Sequence, residues 1–537
     1  MDSTRLAQIR KEFYVSTRKR VETIIGRESP DLIRYRQKYE SELIRLKCSA
    51  VNKKQFMSRL KQANIILVGD FHVQKQSSRG LLRLLRKVNT RFVLCVECLT
   101  TADQQYIDQY LSGELAEKDF LIRVGWKQKW SFPWENYRPL FKWAQAHNGL
   151  VFGINAESGL KSLSARDKYS AMQIKRIRSR HRESQIFVQF GDLHLASAHL
   201  PRQIKKQLPK DNLCTIYQSP EIIYFRIMEE QKEQSTDVVK LSEDQWALNV
   251  LPPWVKWQDF LLYLESNENS RGGSADKKIK KSDFDLTDNV SHSVALLSDS
   301  FGFKTNTASL SVYSSMDESF FDQIDTLSIN VRKRILENVQ EGQSFYIPEL
   351  QIAYLSRLSV NHVSKIAAQY IYFVQKGFTK TLSDPRKDFL KMIWLEMVTY
   401  LCSKIANPKR KSDTLQDIRS ALQKEQFDDR GKEALMLSLN QKLSELHFIS
   451  SKKIRNISAF QTKVLNKRSY VIASQILGGI MGEKFYSAII KKHLKMPLDK
   501  KVIFKDLQSA HFSEVYFETL EQIESWPVSF KSKFDKL

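Results

Sequence analysis

Cysteine is scarce in this chain. Its 537 residues carry five, at positions 48, 95, 98, 214 and 402. So sparse and odd a set excludes a disulfide framework and points to a reducing compartment. The opening "MDSTRLAQIRKEFYVSTRKR" has no apolar core of a secretory signal and no early cysteine for lipid attachment, so a cytoplasmic location is expected. No transmembrane segment is expected either. The most apolar late stretch, "YVIASQILGGIMGEKFYSAII", holds Gln475, Glu483 and Lys484, and reads as a buried helix with a glycine-softened middle. The chain has no G-x-S-x-G elbow and no H-E-x-x-H helix, which removes serine-hydrolase and zincin readings. It shows no helix-turn-helix, zinc module or RNP pattern. No repeat of solenoid length occurs.

What is present is ample core material: 42% hydrophobic and 11% aromatic residues, in a length that suggests more than one domain. The net charge of +25 favours an anionic partner, whether nucleic acid, a membrane surface or a small anionic ligand. Equally, basic residues spread along the chain coat helix exteriors, and charge alone makes nucleic-acid or anionic-surface binding a minor reading.

Five segments follow from the patterning. Residues 1–50 read as charged N-terminal helices, with "ESPDLIRYRQKYESELIRLK" opening on a Ser-Pro start. Residues 51–230 alternate short apolar runs ("NIILV", "RFVLCV", "GLVFGI", "QIFVQF", "LCTIY", "IIYFRI") with helical stretches. Continuous apolar strands between helices predict a mostly parallel sheet flanked by helices on both faces, an α/β architecture. Residues 231–265 read as a connecting helical segment, 266–289 as a polar linker, and 290–537 as a separate, predominantly α-helical C-terminal domain. That domain's apolar faces suit homodimerisation, covering of a cleft or binding of a partner.

Two apolar strands end on the same pattern, "GDFH" at 69–72 and "GDLH" at 191–194. In an open parallel sheet, ligands sit beyond the carboxyl ends of the strands. Four runs deliver polar groups there: Asp70 and His72, Glu97, Asn155 and Glu157, Asp192 and His194. Strand-end Asp and His are also common turn and cap residues. Two copies beside further acids favour a shared site, with His72, His194 and Glu97 as catalytic or metal-holding groups. Asp70 and Asp192, with Asn155 and Glu157, are expected behind them, orienting the rings. The pair Cys95 and Cys98 lies in an apolar strand and reads as core. The loop "GWKQKWSFPWENY" brings Trp126, Trp130 and Tyr137, a candidate flat wall for a ligand or a loop packed on the rim, with Lys127 and Lys129 beside it. His199 is expected to start a helix, and His362 to cap one.

The segment 60–228 resembles the ChaN-like branch of the Tiki/TraB superfamily, which includes haem-binding lipoproteins and is distantly related to erythromycin esterases. The resemblance is carried by "ILVGDFHVQKQ", "VLCVECLTTADQQYIDQYLSGEL", "GWKQKWSFPWENYRPLFKWAQ", "GLVFGINAE" and "FVQFGDLHLASAHLPRQI", in that order. Carried over, the first motif falls on Gly69, Asp70 and His72, the acidic strand end on Glu97, and the second motif on Gly191 and His194. Asp70 stands where the family commonly has Glu, a shorter reach. The family is often envelope-associated, and the lipoprotein signal is missing here. The resemblance implies a haem- or iron-binding protein, with haem or a divalent metal ion as cofactor. The Tiki branch implies the alternative, a metal-dependent hydrolase using His72, His194 and Glu97. Residues 290–537 lie outside the resemblance.

Overall fold

The computed structural model of the chain describes residues 2–88, 91–157, 160, 162–233, 235–266, 286–314, 317–377, 382, 384–423, 428–453, 466–494 and 503–533. The chain divides into two units, Thr17–Ala275 and Met1–Ser16 with Asp276–Lys536.

Apolar strands crossing between helices build the first unit. Eight strands, β1 (Ser49–Ala50), β2 (Ile65–Asp70), β3 (Phe92–Thr100), β4 (Leu150–Asn155), β5 (Gln185–Gly191), β6 (Leu213–Gln218), β7 (Val238–Lys240) and β8 (Gln245–Leu248), lie in the order β1-β7-β8-β6-β2-β5-β3-β4. β2 pairs parallel with both β5 and β6, and β3 with both β4 and β5. β7 is antiparallel to both of its neighbours, β1 and β8. Alternate side chains enter two cores. Ile66, Val68, Leu94 and Val96 pack with Leu81, Tyr137 and Phe141 of the helices Lys75–Leu85 and Trp134–Ala146. Ile65, Leu67, Val93 and Cys95 pack with Leu43, Ile174 and Ile204 of the helices Pro30–Arg45, Leu163–Arg180 and Leu200–Gln207. Helices therefore cover both faces, and burial on both sides is why these strands read as unbroken apolar runs.

Two expectations are corrected, and a third falls mostly outside the described residues. "IIYFRI" lies in a helix, Glu221–Glu229, whose buried Ile223, Tyr224, Ile227 and Met228 follow a helical spacing. A six-residue apolar run does not distinguish the two periods. Residues 231–265 are not only a helical connection, because β7 and β8 complete the sheet before the helix Pro253–Ser266. Strands of three and four residues give too short a pattern to read. Most of the expected linker 266–289 lies outside the described residues, and Leu286 already opens the helix Leu286–Asp299.

The second unit is predominantly helical, as expected, with a small sheet of β9 (Ser311–Ser314), β10 (Phe345–Ile347) and β11 (Ile352–Leu355) that the sequence did not announce. Its centre is the helix Phe389–Ala406 against Lys467–Ile490. The latter is the late apolar stretch, and its glycines set how close the two approach. A Cβ on Gly478 would stand 2.8 Å from the Ile393 carbonyl oxygen, and one on Gly482 2.8 Å from that of Met397. On Gly479 it would meet only side-chain atoms of Tyr400 and Ser412, at 3.6 Å or more. Among the described residues no helix is long and apolar enough to cross a membrane.

Backbone oxygens cannot swing aside, so Gly478→Ala and Gly482→Ala are each expected to cost about 1–3 kcal/mol. Gly479→Ala meets no such obstacle and is expected to be neutral or to gain up to about 1 kcal/mol from helix propensity. Thermal unfolding followed by circular dichroism separates the three.

Candidate functional site

The connections after the two central neighbours β2 and β5 leave in opposite directions, toward β3 and toward β6. A crevice at the carboxyl edge is expected where paths diverge in this way. Both Gly-Asp-x-His motifs end there. A Cβ built on Gly191 would touch Glu97 Oε2 at 3.4 Å, His194 Cδ2 at 3.5 Å and His72 Cε1 at 3.5 Å. Two imidazoles and one carboxylate thus converge on a point that only the absence of a side chain keeps open.

Glu97 anchors the cluster. β3 shifts register against β4 between Val96 and Thr100, a bulge that re-aims the residues within it. The buried Glu97 carboxylate accepts the Gly191 N–H through Oε2 and the Arg166 guanidinium through Oε1, both at 2.7 Å. Burial would raise its pKa. The charges of His72, His194 and Arg166 and the Gly191 N–H outweigh that and hold the carboxyl below its ordinary value.

Each imidazole has its own acid. His72 Nδ1 lies 2.9 Å from Asp70 Oδ2, which also accepts the Tyr137 hydroxyl at 2.8 Å. That contact assigns the His72 proton to Nδ1 and leaves the Nε2 lone pair without a hydrogen-bond partner among the described residues. The ring keeps 25% of its side-chain surface exposed and stands edge-on to Trp130, centroids 4.6 Å apart, with Phe132 at 5.0 Å. His194 Nδ1 lies 2.6 Å from Asp167 Oδ1, Asp167 Oδ2 accepts the Tyr35 hydroxyl, and the ring is almost closed off at 8% exposure. His72 is therefore the accessible one of the pair.

Asp70 is the carboxylate in contact with His72. Asp192 does not stand behind His194. Its Oδ2 faces buried Lys256 at 3.4 Å, its Oδ1 lies against Gly69, and burial raises its pKa. Asp167 takes the orienting role instead, and Arg166 beside it holds Glu97. Arg166 closes the first turn of Leu163–Arg180 and Asp167 follows it directly. A crossover helix begins at the carboxyl edge of the sheet, so the Arg-Asp pair near its start was the available signal.

Among the described residues the Asn155 side chain accepts only the adjacent Ala156 N–H, in its local turn, and Glu157 is exposed. Of the aromatic loop, Trp126 is buried, donates to the Phe132 carbonyl and packs on Trp134. Tyr137 is buried behind Asp70. Neither offers a face to a ligand, because the core and the carboxylate occupy them. Trp130 and Phe132 of the same loop are only partly buried and stand beside the His72 ring. His199 starts the helix Leu200–Gln207, and His362 lies in the first turn of Val360–Lys376 bonded to Ser344.

A divalent metal is not supported. Among the described residues no group of three or more His, Cys, Asp or Glu side chains is arranged to hold a metal ion. The physical reason is that both Glu97 oxygens are already engaged and a guanidinium sits against them. All five cysteines are free, four of them buried, and Cys95 and Cys98 are core residues whose thiols burial pushes up.

Residues 56–212 match the family described as "Haem-binding uptake, Tiki superfamily, ChaN". The resemblance read from the motifs is borne out over this segment, which is a ChaN-like part of a longer chain. One solved structure found to be similar is titled "Cofacial heme binding to ChaN of Campylobacter jejuni". It shares 12% identity over 32% of this chain and 89% of that one, with a TM-score of 0.25. No curated protein matches.

His72 carries a pH signature. Burial lowers its pKa, but the Asp70 hydrogen bond and the charges of Asp70 and Glu97 raise it further, so the net shift is upward from 6.5. The ion pair's contribution to stability is full below pH 6.5 and is lost as pH rises through the raised value. Titration of the His72 ring followed by NMR is expected to show a midpoint above 6.5. In Asp70→Asn burial is left largely unopposed, and the midpoint drops below that of the parent chain.

Proposed function

We propose that the α/β unit binds haem, with His72 supplying the nitrogen for its iron. One observation carries the reading: a partly exposed imidazole whose Nδ1 is held by a buried carboxylate, whose Nε2 has no hydrogen-bond partner among the described residues, and whose ring is flanked by the rings of Trp130 and Phe132. A carboxylate behind a histidine fixes its tautomer and raises its basicity as a ligand, and haem iron accepts an imidazole nitrogen. Flat apolar rings beside the ligand suit a planar macrocycle. Lys129 is engaged by Asp103 at 3.2 Å, which leaves the exposed Lys127 of the same loop for a propionate. The family description of residues 56–212 agrees with this chemistry. His194, nearly enclosed, holds the opposite wall through Asp167.

Titration of the purified protein with haemin tests this. A saturable Soret shift is expected, with affinity at least about tenfold weaker in His72→Ala, a loss of about 1.4 kcal/mol or more. Gly191→Ala gives an independent arm. Its backbone, φ −53° and ψ 135°, accepts an L side chain, and the methyl fills the point where the three side chains converge. The fold is expected to stay within about 0.5 kcal/mol of the parent, while haemin binding weakens. An absent Soret shift, or undiminished affinity in both variants, would overturn the reading.

A further inference from the structure

The helical unit contains a cavity of about 1180 Å³, walled by the helices Ile329–Gln340, Val360–Lys376, Phe389–Ala406 and Lys467–Ile490. Its lining is unevenly charged, with seven Lys and Arg side chains against four carboxylates. Two of the cations are neutralised inside it. Lys365 pairs with Glu396 at 2.9 Å and Arg468 with Glu341 at 2.6 Å. Four others, Lys333, Arg334, Arg430 and Lys467, make no ion pair or hydrogen bond among the described residues. Arg334 is the most telling of them. It is half-buried, and burial lowers its pKa although Glu349, Asp388, Glu337 and Asp384 pull the other way at longer range. A guanidinium withdrawn from water without a bonded partner is costly, and a bound anion is what relieves it.

The remaining walls suit an organic anion rather than bulk counterions. Gln475 donates to Gln343 at 3.0 Å, fixing two amides in place, and Phe345 and Phe373 add an apolar side. The volume exceeds what one phosphate or carboxylate needs. It lies just above the usual range for small-molecule pockets, about 300–1,000 Å³. Arginine forks and lysine ammonium groups together match several phosphoryl oxygens at once.

We propose that this cavity binds a multiply phosphorylated small molecule of nucleoside-polyphosphate size, with Arg334 as its half-buried contact and Lys333 and Lys467 at its rim. The site lies in the helical unit and does not draw on the haem reading. Haemin spectra report His72, phosphate binding reports this cavity, and either fails without the other.

The test is calorimetric titration of the full chain with ATP and, separately, inorganic pyrophosphate, at a fixed ionic strength of about 0.15 M to suppress nonspecific attraction. Saturable binding of at least one probe is expected. It should weaken about tenfold or more in Arg334→Gln, and likewise in the exposed pair Lys333→Gln/Lys467→Gln, which leaves the buried core untouched. The control pair Lys118→Gln/Lys206→Gln, exposed on the other unit, should change nothing. Absence of saturable binding by both probes overturns the proposal. So does equal affinity in the lysine pair and the parent, or equal weakening by the control pair.

Discussion

The geometry of the α/β unit turns on one buried charge. The Glu97 carboxylate sits where β3 stops pairing with β5, the last partners being Val96 and Gln189. From there it reaches across to the Gly191 amide that ends β5 and to Arg166 on the helix Leu163–Arg180 that leads into β5. A side chain thereby takes over where backbone pairing stops, and it joins two strands and a helix at a single point. Removing one partner from such a buried pair typically costs about 3–5 kcal/mol, because the other is left charged and dry. The two imidazoles keep their places partly because this negative centre lies between them.

Around that centre the two motifs have unequal fates. Both place a histidine at the rim, and both histidines are steadied by a carboxylate and a tyrosine. For His72 the acid is local, two positions back, and the tyrosine comes from the Trp134–Ala146 helix. For His194 the acid comes from Leu163–Arg180 and the tyrosine from the N-terminal helix Pro30–Arg45. The first ring remains reachable and the second is enclosed. A repeated sequence pattern has produced one accessible ligand nitrogen and one wall.

Much of this was legible from the residues. Strands buried on both faces announce themselves as apolar runs, and the runs at 65–68, 93–96, 151–154 and 186–190 fall inside β2 to β5. Their polar ends mark a common edge once the sheet is parallel. Partner identity was less legible. Asp192 shares its motif with His194, yet a strand end turns sharply, and its carboxylate swings against Gly69 and Lys256. Asp167 stands 27 positions before His194 and meets it only through the crossover helix. Trp126 and Tyr137 were readable as aromatic but not as consumed by the core, since burial depends on neighbours distant in sequence. β7 and β8 escaped because three or four residues carry no period.

The helix Pro253–Ser266 lies well past the family segment, yet it reaches back into the neighbourhood of the site. Lys256 is the buried counter-charge of Asp192, Asp259 accepts from Gln74 at 2.9 Å, and the Tyr263 ring lies beside Phe132. A fragment trimmed to the recognised homology would strip those groups away. It would leave Asp192 an isolated acid and bare the flank of the aromatic shelf. The smallest piece able to fold with its rim intact is accordingly longer than the part its relatives share.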